Sequence, residues 1–165
     1  MAQTFSIIVI MLAFLFTSCE QSTKSKSALS NEDYQLEKKA ILEALLNETK
    51  AAFARDYEAW KANWVHRTSI SKTYMNLADT TFSEMTSWNE IDDFVRIYIE
   101  ENPEPVPPPA QPENIQVQLY GTGAWVSYEI LDEVFGKKRE TRLMEKEDGR
   151  WKIAGMHTTI YGFEK

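Results

Sequence analysis

Leu143-Met144-Glu145-Lys146-Glu147-Asp148-Gly149-Arg150-Trp151-Lys152-Ile153 is the stretch that decides the fold. Thr141 to Lys146 reads as a strand, Asp148-Gly149 is a strong two-residue hairpin signal, and alternation resumes at Trp151. Trp151, Ile153, Gly155, His157 and Thr159 then share one face of a last strand. Upstream, Ala124, Val126, Tyr128 and Ile130 share a face of another strand, between turns at Gly121-Thr122-Gly123 and Gly136-Lys137. Ile115, Val117 and Leu119 alternate before it. The C-terminal half is therefore an antiparallel meander with one dry face.

The N-terminal half has helical spacing. Leu36, Ala40, Ile41, Ala44, Leu45, Ala52 and Phe53 predict one long amphipathic helix over Asp33 to Phe53, capped by Asn31 or Asp33. Lys38, Lys39, Glu43 and Glu48 fall mainly on its wet side. Asp56 opens a shorter helix on which Tyr57, Trp60 and Trp64 form one aromatic stripe. Thr68 to Thr81 reads as a strand with Met75, Leu77 and Asp79 on one side. Ser87-Trp88-Asn89-Glu90 is a capping box, and the helix behind it carries Ile91, Phe94, Val95 and Tyr98 on one face. All six prolines fall between Pro103 and Pro112, which stops that helix and predicts a stiff connector into the sheet.

The order long helix, short helix, strand, helix, meander resembles the nuclear transport factor 2-like, or SnoaL-like, superfamily. The residues that carry the likeness are Tyr57 to Trp64, Ser87 to Tyr98, and the stretch from Leu143 to Ile153. The resemblance implies an α+β cone in which three helices pack on a curved antiparallel sheet and leave a cavity at the open end. It also implies a range of roles. The family contains isomerases, dehydratases, cyclases and hydrolases, and many members without catalytic residues that bind ligands or proteins. Members often pair through the sheet, so a homodimer is a further expectation.

The first residues have a different character. An apolar stretch from Ile7 to Phe16 runs into Leu15-Phe16-Thr17-Ser18-Cys19, which holds the only cysteine. The stretch is about half the length that a membrane-spanning helix needs. It resembles a bacterial lipoprotein signal peptide with its lipobox. That resemblance implies removal of residues 1–18, lipid on Cys19, and attachment to a membrane of the cell envelope, periplasmic or surface-exposed. Residues 19–31 are rich in Ser, Lys and Thr and read as a tether, and residues 32–165 as one domain. The net charge of −7 argues against nucleic acid as a partner.

Three functions fit these observations. The first is a pocket for a small apolar or amphipathic ligand, lined by Trp60, Trp64, Tyr74, Tyr98 and Trp125, since aromatic residues make up 12% of the chain. The second is an enzyme whose acid–base residues are His157, Asp79 and Tyr128. His157 has the parity of Trp151, and Asp79 that of Met75, so both are expected to point inward. The third is a dimeric protein-interaction module. His66 is assigned to the C-terminus of the second helix, which a cation stabilises. Of Arg139 and Arg142, only one can face the interior, where it needs a carboxylate. No metal or cofactor is called for, because the two histidines lie in no ligand pattern and there is no phosphate loop.

Overall fold

Asn31–Ala54 forms helix α1, and Tyr57–Ala62 forms the short α2. This computed structural model describes residues 29–163, so Cys19, the signal-type segment and most of the tether lie outside the described residues. Two strands follow, β1 (Ser71–Asn76) and β2 (Thr81–Met85), then α3 (Trp88–Glu101). The chain closes with β3 (Glu113–Tyr120), β4 (Gly123–Asp132), β5 (Gly136–Glu147) and β6 (Arg150–Gly162). The six strands make one sheet in the order β2-β1-β6-β5-β4-β3. All neighbours are antiparallel except β1 and β6, which run parallel. The α+β class and the helices packed on a curved sheet agree with the sequence reading. The β1–β2 hairpin and the one parallel pair were not foreseen.

Local chemistry explains the boundaries. Ser30, not Asn31 or Asp33, caps α1, its hydroxyl accepting from the Asp33 N–H at 3.1 Å. Asp56 caps α2, accepting from the Ala59 N–H. Ser87 caps α3, but the reciprocal half of the predicted box is absent. The Glu90 carboxylate accepts from the Thr86 N–H at 2.6 Å instead. α3 ends at Glu101, two residues before Pro103, where helical geometry is disfavoured. Asp148 and Gly149 both have positive φ, as the tight β5–β6 turn requires.

The core gathers Ile41, Leu45, Trp60, Trp64, Ile91, Val95, Val126, Met144, Trp151 and Ile153 between the helices and the concave face of the sheet. At 25 cal/mol per Å², burying one tryptophan contributes about 4–6 kcal/mol before entropy is counted. Trp60 and Trp64, at 1% and 0% exposure, are thus among the main anchors of the fold.

One irregularity sets which side chains face inward. Leu143 pairs with Gly155, but Met144 pairs with Ile153, so Ala154 is an extra residue in β6. Ile153 donates to the Asn63 carbonyl and accepts from the Val65 N–H, whereas from Gly155 onward the same edge of β6 pairs with β1. The bulge marks this change of partner and reverses the parity beyond it. Trp151 and Ile153 face inward, then Ala154, Met156 and Thr158 do, and His157 is exposed.

Gly136 opens β5 with φ of 77°, and a Cβ there would lie 2.4 Å from the Gly162 carbonyl carbon. Gly136→Ala is therefore expected to lower unfolding free energy by at least about 2 kcal/mol in urea titration. An unchanged midpoint would show that this end of the sheet is not closely packed.

Candidate functional site

The sheet pairings place side chains in rows across the concave face, because directly paired residues point to the same side. One row is Tyr128, Glu140, Thr158 and Tyr74, from β4, β5, β6 and β1 in turn. The next is Val126, Arg142, Met156 and Lys72. Both rows lie beneath the helices, and Tyr128, Glu140, Arg142, Thr158 and Lys72 are buried. A strand pattern read as half wet thus delivers charged groups into the interior.

Those groups are tied together. Arg142 donates from Nη2 to Glu140 at 2.6 Å and from Nε to the Tyr128 hydroxyl at 3.1 Å. Tyr128 donates in turn to Glu140 at 2.8 Å. From α1, Glu48 accepts from the Trp60 indole N–H at 2.9 Å and from that of Trp64 at 3.3 Å. Arg142 Nη1 lies 3.9 Å from Glu48, close enough for charge attraction but too far for a hydrogen bond. Glu48, expected on the wet side of its helix, is 4% exposed, and the two indole donors are the reason it is tolerated there.

The protonation states follow from these contacts. Burial alone would raise the Glu140 pKa, but the Arg142 charge and the Tyr128 hydroxyl outweigh it and hold the carboxyl below its ordinary value. Burial raises the Tyr128 pKa far above that of a free phenol, and the nearby Glu140 adds to the rise against the opposing pull of Arg142. Burial works against the Arg142 cation, and Tyr128, Glu140 and Glu48 more than offset it. Tyr128 is therefore a fixed proton donor, and Glu140 an ionised acceptor already occupied. The arrangement orients hydrogen bonds well and moves protons poorly.

Lys72 is different. Its ammonium stands over the rings of Trp64, Tyr74, Trp60 and Phe94, with Nζ 5.5, 5.6, 5.7 and 5.7 Å from their centroids. Among the described residues it is in no ion pair with a carboxylate. The residue is 5% exposed, yet its nitrogen is not one of the buried atoms that lack a hydrogen-bond partner, so the ammonium keeps contact with solvent. The ring contacts are near the outer limit of about 6 Å for a cation–π attraction, so the rings hold the ammonium without neutralising it. Arg142 Nη1 and Thr158 Oγ1, on this side, are buried without a hydrogen-bond partner among the described residues, as are Arg55 Nε and, on the other face of β1, Thr73 Oγ1.

The residues singled out in the sequence divide. Tyr128 lies within the network. Trp60 and Trp64 support it as buried packing, not as an open wall. Tyr74 is half-buried beside Lys72, its ring 6.2 Å from that of Phe94. Tyr98, one turn beyond Phe94 on α3, is 47% exposed, with Arg55 stacked over it at 5.2 Å. These rings form a rim. Trp125 is a correction: β4 alternates, and with Val126 and Ala124 inside, Trp125 lies outside at 46% exposure. His157 is a correction too, turned outward by the bulge. Asp79 is a third: it is exposed in the β1–β2 turn, where it accepts from the Thr81 N–H and hydroxyl. Met75 and Leu77 are likewise exposed, because β1 turns Lys72 and Tyr74 inward. His66 donates to the Lys61 carbonyl at the end of α2, and its ring stacks on Trp88 at 4.0 Å. Arg139 pairs on the outside with Glu129, so Arg142 is the inward arginine.

Two surface depressions of about 300 and 310 Å³ lie elsewhere, along the outer side of α1 at Leu42 and Leu46 and on the sheet edge at Arg139 and Tyr161. Among the described residues there is no cluster of side chains set to hold a metal ion, and no helix is long and apolar enough to cross a membrane.

Solved structures share this architecture. A cystatin-like fold protein from Burkholderia xenovorans superposes with a TM-score of 0.58 at 19% identity, over 76% of this chain and 92% of its own. The chain has the nuclear transport factor 2-like, or cystatin-like, fold. A nuclear transport factor 2-like protein of unknown function from Pseudomonas putida aligns with a TM-score of 0.59 at 14% identity, over 76% of this chain and 87% of its own. A proposed dehydratase of that family from Streptomyces avermitilis gives 0.58 at 10% identity, over 77% and 97%. No family model matches the sequence, and no curated protein is significantly similar to it.

The network makes a prediction about acid stability. A carboxyl whose folded pKa is lowered adds stability above its unfolded pKa, and that stability is lost as pH falls through the folded value. Glu140 should therefore contribute fully at neutral pH and progressively less below about pH 4.5. Urea titrations from neutral pH down to about pH 3 should show a loss that is smaller in Glu140→Gln. Equal acid sensitivity in both proteins would mean that Glu140 is not held ionised by Arg142.

Proposed function

We propose that this protein is a binding module, tethered at the bacterial cell envelope by lipid on Cys19, that takes a small amphipathic molecule against the concave face of its sheet. The observation that carries the reading is the imbalance beside the aromatic rim: among the described residues the Lys72 ammonium is in no ion pair, and Arg142 Nη1 and Thr158 Oγ1 have no hydrogen-bond partner. Buried polar groups in folded proteins are nearly always satisfied, so the two left open on the face that carries Lys72 support a guest there. The rim rings Tyr74, Phe94 and Tyr98 offer apolar surface next to it. Binding is favoured over proton transfer because His157 and Asp79 lie on other surfaces, and Tyr128 and Glu140 are locked in opposite protonation states.

Ten-carbon amphiphiles are suitable probes, since Trp60 and Trp64 border the site and report on it. At saturating concentration at least one should shift tryptophan emission and raise the melting temperature by a few degrees. No change in either across such a set would count against the reading. The anchor is tested separately. Cells fed labelled palmitate should incorporate it into the wild-type protein and not into Cys19→Ala, and the variant should leave the membrane fraction.

A further inference from the structure

The charges in the interior do not all have partners. Glu140 is engaged by Arg142 and Tyr128, and Glu48 by two indole N–H groups with Arg142 nearby. Neither carboxylate is in an ion pair with Lys72, whose ammonium meets only ring faces. The indole N–H edges of Trp60 and Trp64 are turned toward Glu48, which leaves their faces to the ammonium. Lys72 is held in position from below and left open to an acceptor from the rim side.

We propose that the site takes an amphipathic acid. Its carboxylate sits on Lys72 with the Thr158 hydroxyl as second donor, and its apolar chain leaves along Tyr74, Phe94 and Tyr98. This rests on the binding reading above and narrows it to one class of head group. A cationic head is disfavoured, because Lys72 already fills the negative faces of the rings. A neutral head leaves the ammonium uncompensated. A dianionic phosphate has one ammonium to meet and Glu140 in the adjoining row to repel it, whereas a monocarboxylate matches the single charge. Thr158 pairs directly with Tyr74 and lies diagonally across from Lys72, so its hydroxyl is on the correct face.

The test compares decanoate, decanol and decyltrimethylammonium, which share a chain and differ in head, by titration of tryptophan emission on the full chain at neutral pH. Decanoate should bind at least about tenfold more tightly than decanol. Lys72→Met should reduce decanoate to the level of decanol with decanol unchanged, and Lys72→Arg should keep the preference. Equal binding of decanoate and decanol to the wild type, or a preference for the cation, overturns the proposal while leaving a binding module in place. If none of the three binds, the binding reading fails and this one with it. Should Lys72→Met not fold, the wild-type ranking decides the matter alone.

Discussion

The buried carboxylate of Glu48 is the constraint on which the rest of this structure depends. It projects from α1 into the space between helices and sheet, where an unpaired charge would be costly. Two indole N–H groups from the α2 region and the charge of Arg142 on β5 make it tolerable. The same contacts fix how the three elements sit. Trp60 and Trp64 must turn their nitrogen edges toward α1, so their faces are directed at β1, where Lys72 lies. Arg142 is drawn toward α1 on one side and toward Glu140 and Tyr128 on the other. A single acidic residue thereby orients the aromatic packing and the polar rows together.

Sheet pairing does the remaining positioning. Side chains far apart in sequence, such as Tyr74 and Thr158, become neighbours because β1 lies parallel to β6. The apolar layer of Ile41, Ile91, Val126, Met144 and Ile153 excludes water around them. Burial raises Tyr128, the Arg142 charge lowers Glu140 against its own burial, and the hydrogen bond that Tyr128 donates to Glu140 drives the two further apart.

The architecture was legible because it rests on local signals. Asp56 before an aromatic stripe, Ser87 before an apolar face, and Asp148-Gly149 between alternating runs each specify an element unaided. The inward face of β4 and the division between Arg139 and Arg142 followed from period-two alternation. The site was much less legible, and the reasons are particular. Helical spacing puts Glu48 on the wet side, where a carboxylate usually lies. Nothing local announces that two tryptophans twelve and sixteen residues later will donate to it. Lys72 carries no local signal for the same reason, and the alternation of Met75 and Leu77 predicts the opposite face of its strand as the inward one. The β2 strand was missed because Thr81 to Met85 is largely exposed and has little alternation to detect.

His157 was misplaced by the extra residue at Ala154, and that residue has a longer reach than one side chain. Everything after it on β6 is read by the interior with inverted parity. Loss of Ala154 would leave Gly155 opposite Leu143 and both surfaces of the strand unchanged, whereas a one-residue slip that flattened the bulge would set His157 opposite Glu140, at the place that Thr158 holds. Within this scaffold, a basic, titratable lining and a neutral hydroxyl lining are thus separated by one step of strand register, and the bulge is what holds the hydroxyl inside.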